Sequence, residues 1–186
     1  LSTIPTRPIF GRIIPLQEVP GLFILKKAIM IETLNEQEIE SVLKERIMGH
    51  LGCHADEKTY VIPISYAYAD GDIYIHTTEG TKITALRKNP RVCFQVDDRN
   101  NMGNWKSVIV WGEYQEITKE EERNAALKAL IARHLPILSS DTTHLGGTWP
   151  FIPENLNSIG GIVFRILIEE KSGKCEKNHF SPAFAV

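Results

Sequence analysis

His76, Thr77, Thr78, Thr81 and Lys82 surround a Glu79-Gly80 pair within a short stretch of chain. Their chemistry is that of a phosphate seat. A helix that starts at Gly80 leaves its first amides without intrahelical acceptors and turns its positive dipole end toward them. Lys82 adds a full charge in the first turn, and the threonines add hydroxyls. The stretch is not a P-loop, because the GxxxxGK[ST] spacing is missing. A second reading stays open: Thr78 caps the helix and Lys82 is solvated. Glu79 opposes an anion unless it points outward.

Other reactive residues form weaker constellations. His50, Cys53 and His54 have a superficial likeness to metal ligands, but no second cluster with ligand spacing accompanies them. No histidine is placed by spacing beside any one cysteine, so a thiol nucleophile is undetermined. GxSxG, HExxH and GxGxxG are absent. Trp105 and Trp111 bracket Ser107 and Ile109 on one strand face; Trp111 suits packing, whereas Trp105, beside a polar stretch, could cover a planar ligand.

The elements that carry these residues are readable from their periodicity. Asn35 and Glu38 have capping-box spacing, and Ile39, Val42, Leu43 and Ile47 recur at helical intervals, which predicts a helix over 36–48. A strand over 49–55 and a turn at Asp56, Glu57 and Lys58 follow. Between Thr59 and Tyr68 large residues (Tyr60, Ile62, Ile64, Tyr66, Tyr68) alternate with small ones (Val61, Pro63, Ser65, Ala67), leaving one low face. Pro63 cannot donate to a ladder, so this strand is an edge or is bulged there. Asp70-Gly71 predicts a two-residue type I′ hairpin that pairs Ala69 with Asp72, Ala67 with Tyr74 and, by extension, Ser65 with His76.

A helix over 80–88 ends at Asn89-Pro90, and Val92, Phe94 and Val96 form the buried face of the next strand. Residues 97–104 read as a polar loop, and 105–115 as a long strand apolar on both faces. Thr118 and Glu121 repeat the capping-box spacing before a helix running to about His134, with Leu127, Leu130, Ile131 and His134 on one stripe. The irregular stretch 135–160 carries Trp149 and Phe151 and is expected to be a lid or a subunit contact. A last strand over 161–169 turns at Ser172-Gly173. About six strands joined by hairpins, with too few helices for a doubly wound sheet, predict a small antiparallel barrel with peripheral helices.

Composition sets the limits. The 186 residues, 42% hydrophobic and 24% charged, suit one full-sized domain. A formal net charge of −2 provides no global positive field for nucleic acid or an anionic membrane. Three widely spaced cysteines, Cys53, Cys93 and Cys175, fit reduced packing thiols in the cytoplasm. The apolar run Leu22 to Ile31 is interrupted by Lys26 and Lys27 and falls short of the roughly 20 residues that span a bilayer. Residues 1–29 read as an extension and 30–186 as the core domain; a chain started at Met30 that failed to fold would refute that division.

Taken in order, YVIPISYAY, DGDIYIHTTEGTK, LRKNPRVCFQVD and NWKSVIVWGEYQEI resemble the pyridoxamine 5′-phosphate oxidase-like flavoproteins with the FMN-binding split barrel. Within them the chain looks closest to the branch that includes the nitroimidazole-resistance proteins. The similarity covers roughly Asn35 to Glu170. It implies a mainly β fold with peripheral helices, a six-stranded antiparallel split β-barrel, and a homodimer holding FMN at the subunit interface. It further implies that Val61, Ile62, Pro63, Ile64 and Ser65 run along the flavin. His76, Thr77, Thr81 and Lys82 would take the ribityl phosphate, and Trp105 and Ser107 would border the site. His76 would also have a part in activity.

True pyridoxamine 5′-phosphate oxidases end in a basic, tryptophan-containing segment, and this chain ends in GKCEKNHFSPAFAV instead, which argues against vitamin B6 oxidation. The expected activity is transfer of electrons from a reduced nicotinamide nucleotide through FMN to a small acceptor such as a nitro compound or quinone. The alternative is a non-catalytic flavin- or haem-binding split-barrel protein, with His76 as an axial ligand in the haem case.

Overall fold

The computed structural model describes residues 31–133 and 155–177. Their elements are β1 (Ile31–Thr33), α1 (Glu36–Glu45), β2 (Met48–Ala55), β3 (Lys58–Ser65), β4 (Ala67–Ala69), β5 (Asp72–Thr77), α2 (Thr81–Lys88), β6 (Arg91–Asn101), β7 (Asn104–Glu116), α3 (Glu120–Ile131), a short 3-10 helix (Leu156–Ser158) and β8 (Ile162–Lys177). The strands make one antiparallel sheet in the order β3-β2-β6-β7-β8-β5-β4, with β1 paired to the far end of β8. Residues 1–29, His134, Trp149 and Phe151 lie outside the described residues.

One residue closes the barrel. Tyr66 alone separates β3 from β4, yet these strands occupy opposite ends of the sheet. The sheet must therefore curl until its two edges nearly meet. Tyr66 is fully buried; its amide donates to the Ile47 carbonyl at 3.0 Å and its hydroxyl to the Leu43 carbonyl at 2.9 Å. The backbone bond that a continuous ladder would use is thus replaced, as a buried amide requires. The alternation expected over Thr59–Tyr68 is present, but the single expected strand is two.

Alternate residues of the curled sheet fill the interior. Leu51, Phe94, Val96, Val108, Val110, Ile73, Ile75, Phe164 and Ile166 pack there with Val42 and Leu43 of α1 and Ile83 and Leu86 of α2. A smaller apolar cluster forms separately, where Ala126, Leu127 and Leu130 of α3 cover Ala67, Ile117 and Val163.

Several local expectations match the structure. The Asn35 side chain accepts from the Glu38 amide at 2.9 Å while Glu38 accepts from the Asn35 amide at 3.1 Å, a complete capping box. Asp70 and Gly71 have φ of 52° and 84°, and Ala69 faces Asp72 and Ala67 faces Tyr74. Pro63 sits on β3, an edge strand, opposite His50.

Others do not. Residues 97–104 are not a loop: β6 and β7 continue as a ribbon to a turn at Met102-Gly103, with Asp97 opposite Ser107 and Asp98 opposite Lys106. Polar residues are tolerated in strands whose sides both meet water. β8 does not turn at Ser172-Gly173 but runs on to Lys177. Gly173 serves close packing instead, since a Cβ there would lie 2.9 Å from the Leu34 and Ile39 side chains. Helix α3 starts one residue later than expected, at Lys119 as N-cap, without the Thr118–Glu121 box. Helix α1 ends at Glu45 because Met48 is already paired with Ser65.

Candidate functional site

The α2 start carries Lys82 beside a set of first-turn amides. Gly80 is its N-cap, and no side chain caps it, so Thr78 does not fill the orphaned amides. The Gly80 carbonyl accepts from Ile83 and Thr84, while the Thr81 and Lys82 amides belong to the turn that helix geometry leaves open. Glu79 points away: its carboxylate meets the Arg87 guanidinium at 2.9 Å, and Arg87 also grips Glu116 at 3.0 Å. Lys82 is half-buried and forms no ion pair among the described residues. A side chain at Gly80 would meet nothing within 4 Å among the described residues. The far end of α2 is tied to the β2–β3 hairpin by Asn89 Nδ2 to the His54 carbonyl at 2.9 Å and Lys88 to Asp56 at 2.7 Å. The helix therefore reaches from the end of β5 to the β2–β3 edge.

The second group lies on the outer face of β3-β2-β6-β7. Val61, Pro63 and Ser65 face outward, and Ile62 and Ile64 turn toward the core. Across that face Ser107 accepts from Gln95 Nε2 at 3.1 Å, Gln95 Oε1 meets His50 Nδ1 at 3.1 Å, and His50 sits opposite Pro63. A continuous polar row thus joins Ser107 to the β3 edge. Gln95 and His50 were not expected in it; their sign in the sequence is only their parity on strands whose pairing was unknown. Trp105 donates from Nε1 to Glu176 at 2.9 Å and lines a cleft of about 350 Å³ with Ser107, Gln95, Asp97, Arg99 and Met102.

His76 belongs to a third environment. It is not opposite Ser65, which pairs with Met48, because the chain leaves the β5 edge at Tyr66. Its Nε2 donates to the Gly160 carbonyl at 2.8 Å, and Nδ1 is buried with no partner among the described residues. That bond sets the tautomer, leaving a lone pair on Nδ1. Burial pushes the His76 pKa down, and the positive charges of Arg123 and Arg133 push the same way. Thr77 is only 3% exposed, with its hydroxyl directed at the Thr78 carbonyl at 3.4 Å; Thr81 is exposed.

Arg133 links the second and third groups. It donates from Nη1 to Ser65 Oγ and, at 3.0 Å, to the Tyr66 carbonyl, and from Nε to the Leu130 carbonyl at 2.7 Å. Burial pushes its pKa down to about 10. Nothing in the local pattern singles it out, since Ser65 and Tyr66 are distant from it in sequence.

His50 and His54 face outward on β2 while Cys53 faces inward, so the three do not converge. Among the described residues no group of three or more His, Cys, Asp or Glu could hold a metal ion. All three cysteines are free, with Cys53 and Cys175 buried and Cys93 half-buried. Burial pushes the Cys53 and Cys93 thiols up, away from the reactive thiolate. No described helix is long and apolar enough to cross a membrane.

Comparison with known proteins gives this geometry a lineage. A crystal structure of a FAD-binding protein from Mesorhizobium loti is 34% identical, covering 80% of this chain and 99% of that one with a TM-score of 0.61. A Bacteroides thetaiotaomicron protein assigned provisionally to 5-nitroimidazole antibiotic resistance shares the fold at 19% identity and a TM-score of 0.60, over 80% of this chain and 89% of that one. A Rhizobium meliloti protein described only as uncharacterized is 32% identical over 87 residues, which are 47% of this chain and 58% of that relative. The pyridoxamine 5′-phosphate oxidase family profile matches residues 35–174, from the α1 capping box to β8, and this chain belongs to that family.

Proposed function

We propose that this chain is an FMN-binding flavoprotein that passes electrons from a reduced nicotinamide nucleotide to a small acceptor such as a nitro compound or quinone. The observation that carries the reading is the α2 start, where Lys82, without an ion-pair partner among the described residues, stands beside open first-turn amides while Glu79 is held away by Arg87. That donor set suits a phosphate monoester. The exposed β3 face, low at Val61, Pro63 and Ser65, suits a planar ring beside it. The FAD-binding description of the Mesorhizobium loti relative supports flavin as the class. A single phosphate seat on α2 favours FMN.

In this reading Lys82, Thr81 and the first-turn amides of α2 hold the phosphate. Val61 to Ser65 lie along the ring through their backbone, and Ser107, oriented by Gln95, borders it. Thr77, being buried, acts by shaping the β5–α2 corner. His76, to which the family resemblance gives a part in activity, holds the Gly160 carbonyl from Nε2 and so positions the Gly160–Gly161 segment against the end of β5. The flavin, when bound, supplies the redox chemistry. Haem is disfavoured by the same histidine: Nε2 is engaged with Gly160 and Nδ1 is buried, so no ring nitrogen is presented to an iron.

The working unit is a homodimer in which a second copy covers the outer β3-β2-β6-β7 face. Val61 is 68% exposed, Met48 51% and Trp111 39%, and a cleft of about 420 Å³ runs between Val61, Cys93 and Trp111. Residues 1–29 are an appendage to this core. The test is the absorption spectrum of the purified protein, identification of any released flavin, and reduction by NADH or NADPH. Lys82→Glu is expected to abolish flavin retention with the circular dichroism unchanged; full retention in that variant would overturn the assignment of the seat.

A further inference from the structure

A cleft of about 420 Å³ opens between the C-terminal ends of α1 and α3, where the chain crosses from β3 to β4. Its charged lining is Lys44, Glu45, Arg46 and Arg133, three cations against one carboxylate. Lys44 is drawn to Glu40 at 3.5 Å, and Arg46 to Asp98 at 3.1 Å and Glu45 at 4.0 Å. Arg133 meets no carboxylate among the described residues. Two carbonyls and the Ser65 hydroxyl hold its Nε and Nη1, which fixes the guanidinium plane without cancelling its charge. Nη2 has no acceptor among the described residues. Half-buried among these partners, the guanidinium keeps Nη2 as a donor that an anion would complete.

Arg46 contributes a second unsatisfied donor, because its Nε is buried and has no acceptor among the described residues. An orphaned buried donor calls for a ligand or an ordered water. Two planar guanidinium groups lining one cleft suit an oxyanion better than two ammonium groups would, since each presents a fixed fork. We propose that this cleft is an oxyanion subsite in which Arg133 Nη2 and Arg46 Nε receive a carboxylate or phosphate group. Arg133 also holds Ser65, the last residue of the strand assigned to the flavin, and in this respect the inference rests on the flavoprotein reading. The oxyanion is then either on an acidic substrate or on the second phosphate of a dinucleotide flavin.

The test is calorimetric titration of the full-chain protein, loaded with FMN, with inorganic phosphate. Wild type, Arg46→Gln and Arg133→Gln are compared, and FMN and FAD affinities are measured for each. Phosphate binding to the FMN-loaded wild type, weakened about tenfold in each variant as for one lost charge-assisted bond, places the group on the substrate. FAD binding tighter than FMN by about tenfold, with the preference lost in the variants and inhibited by phosphate, places it on the cofactor. Either result supports the subsite. Absence of phosphate binding together with equal FMN and FAD affinities in wild type overturns it, as does binding that Arg46→Gln leaves unchanged. The Arg46 side chain is 42% exposed, so its variant remains decisive if Arg133→Gln fails to fold. Should the chain take up no flavin, the flavoprotein reading fails alone, and phosphate titration of Lys82→Glu still reads the cleft with the α2 seat disabled.

Discussion

Replacing Gly161 with alanine probes the contact that half-buries His76. Gly161 has φ of +81°, and a Cβ there would lie 2.7 Å from the Thr77 carbonyl and 2.8 Å from His76 Nε2. The Thr77 carbonyl cannot yield, because Thr77 is paired with Ile162 at the start of β8. The Gly160–Gly161 segment must then retreat. Holding alanine in the left-handed region costs about 1–2 kcal/mol. Losing the 2.8 Å bond from His76 to the Gly160 carbonyl costs about 1 kcal/mol more. Urea unfolding is therefore expected to show a loss of about 2–3 kcal/mol at unchanged m, a midpoint shift of about 1 M or more. The His76 ring, followed by NMR through a pH titration, is expected to move up toward its ordinary pKa of about 6.5, since relief of burial, the largest cause of its depression, outweighs loss of the Gly160 bond, which holds it up. A stability change below about 0.5 kcal/mol, with the histidine still depressed, would refute the reasoning.

The same depressed histidine predicts an acid-side stability loss. Below about pH 6.5 the unfolded chain binds a proton that folded His76 resists, so stability declines as pH falls through that value. Melting temperatures of His76→Gln should fall less steeply between neutral pH and about pH 5; a parallel decline would assign the loss to other groups. Asn35→Ala removes one half of the α1 capping box and is expected to cost about 1 kcal/mol by urea unfolding, with no change meaning that the helix start is held by tertiary contacts instead. Val61→Glu should convert the proposed homodimer to monomer in sedimentation with the circular dichroism of the fold unchanged, because Val61 is 68% exposed in the single chain. A variant that stays dimeric would move the interface elsewhere.

Much of the fold could be read from short-range chemistry. Asp70-Gly71 specified its hairpin because two adjacent positive φ values admit few residues, and the register of Ala67 with Tyr74 followed from it. Asn35 and Glu38 specified a helix start because both partners lie within one turn. The same spacing at Thr118 and Glu121 produced no box, since α3 begins one residue later. Capping geometry tolerates no such offset. Gly173 looked like a turn residue and is a packing residue, and the reason is the Leu34 and Ile39 side chains, which reach it from far along the chain. Of the candidate site, the α2 start was legible as a local pattern, whereas the withdrawal of Glu79 by Arg87 depended on where α2 and β7 were placed.

The sequence by itself determined the elements: the alternation that makes strands, the turns that join them, and a lysine beside open amides at a helix start. These depend on atoms a few residues apart, and their geometry is set by local sterics. Only the tertiary structure decided what faces what. Tyr66 breaks one expected strand into two and sends its halves to opposite edges of the sheet, so Ser65 meets Met48 and Arg133 rather than His76. Burial under Gly160 and the nearby charges of Arg123 and Arg133 decide the protonation of His76. Desolvation and Coulomb fields sum over neighbours brought together from distant parts of the chain, and no local pattern carries that sum.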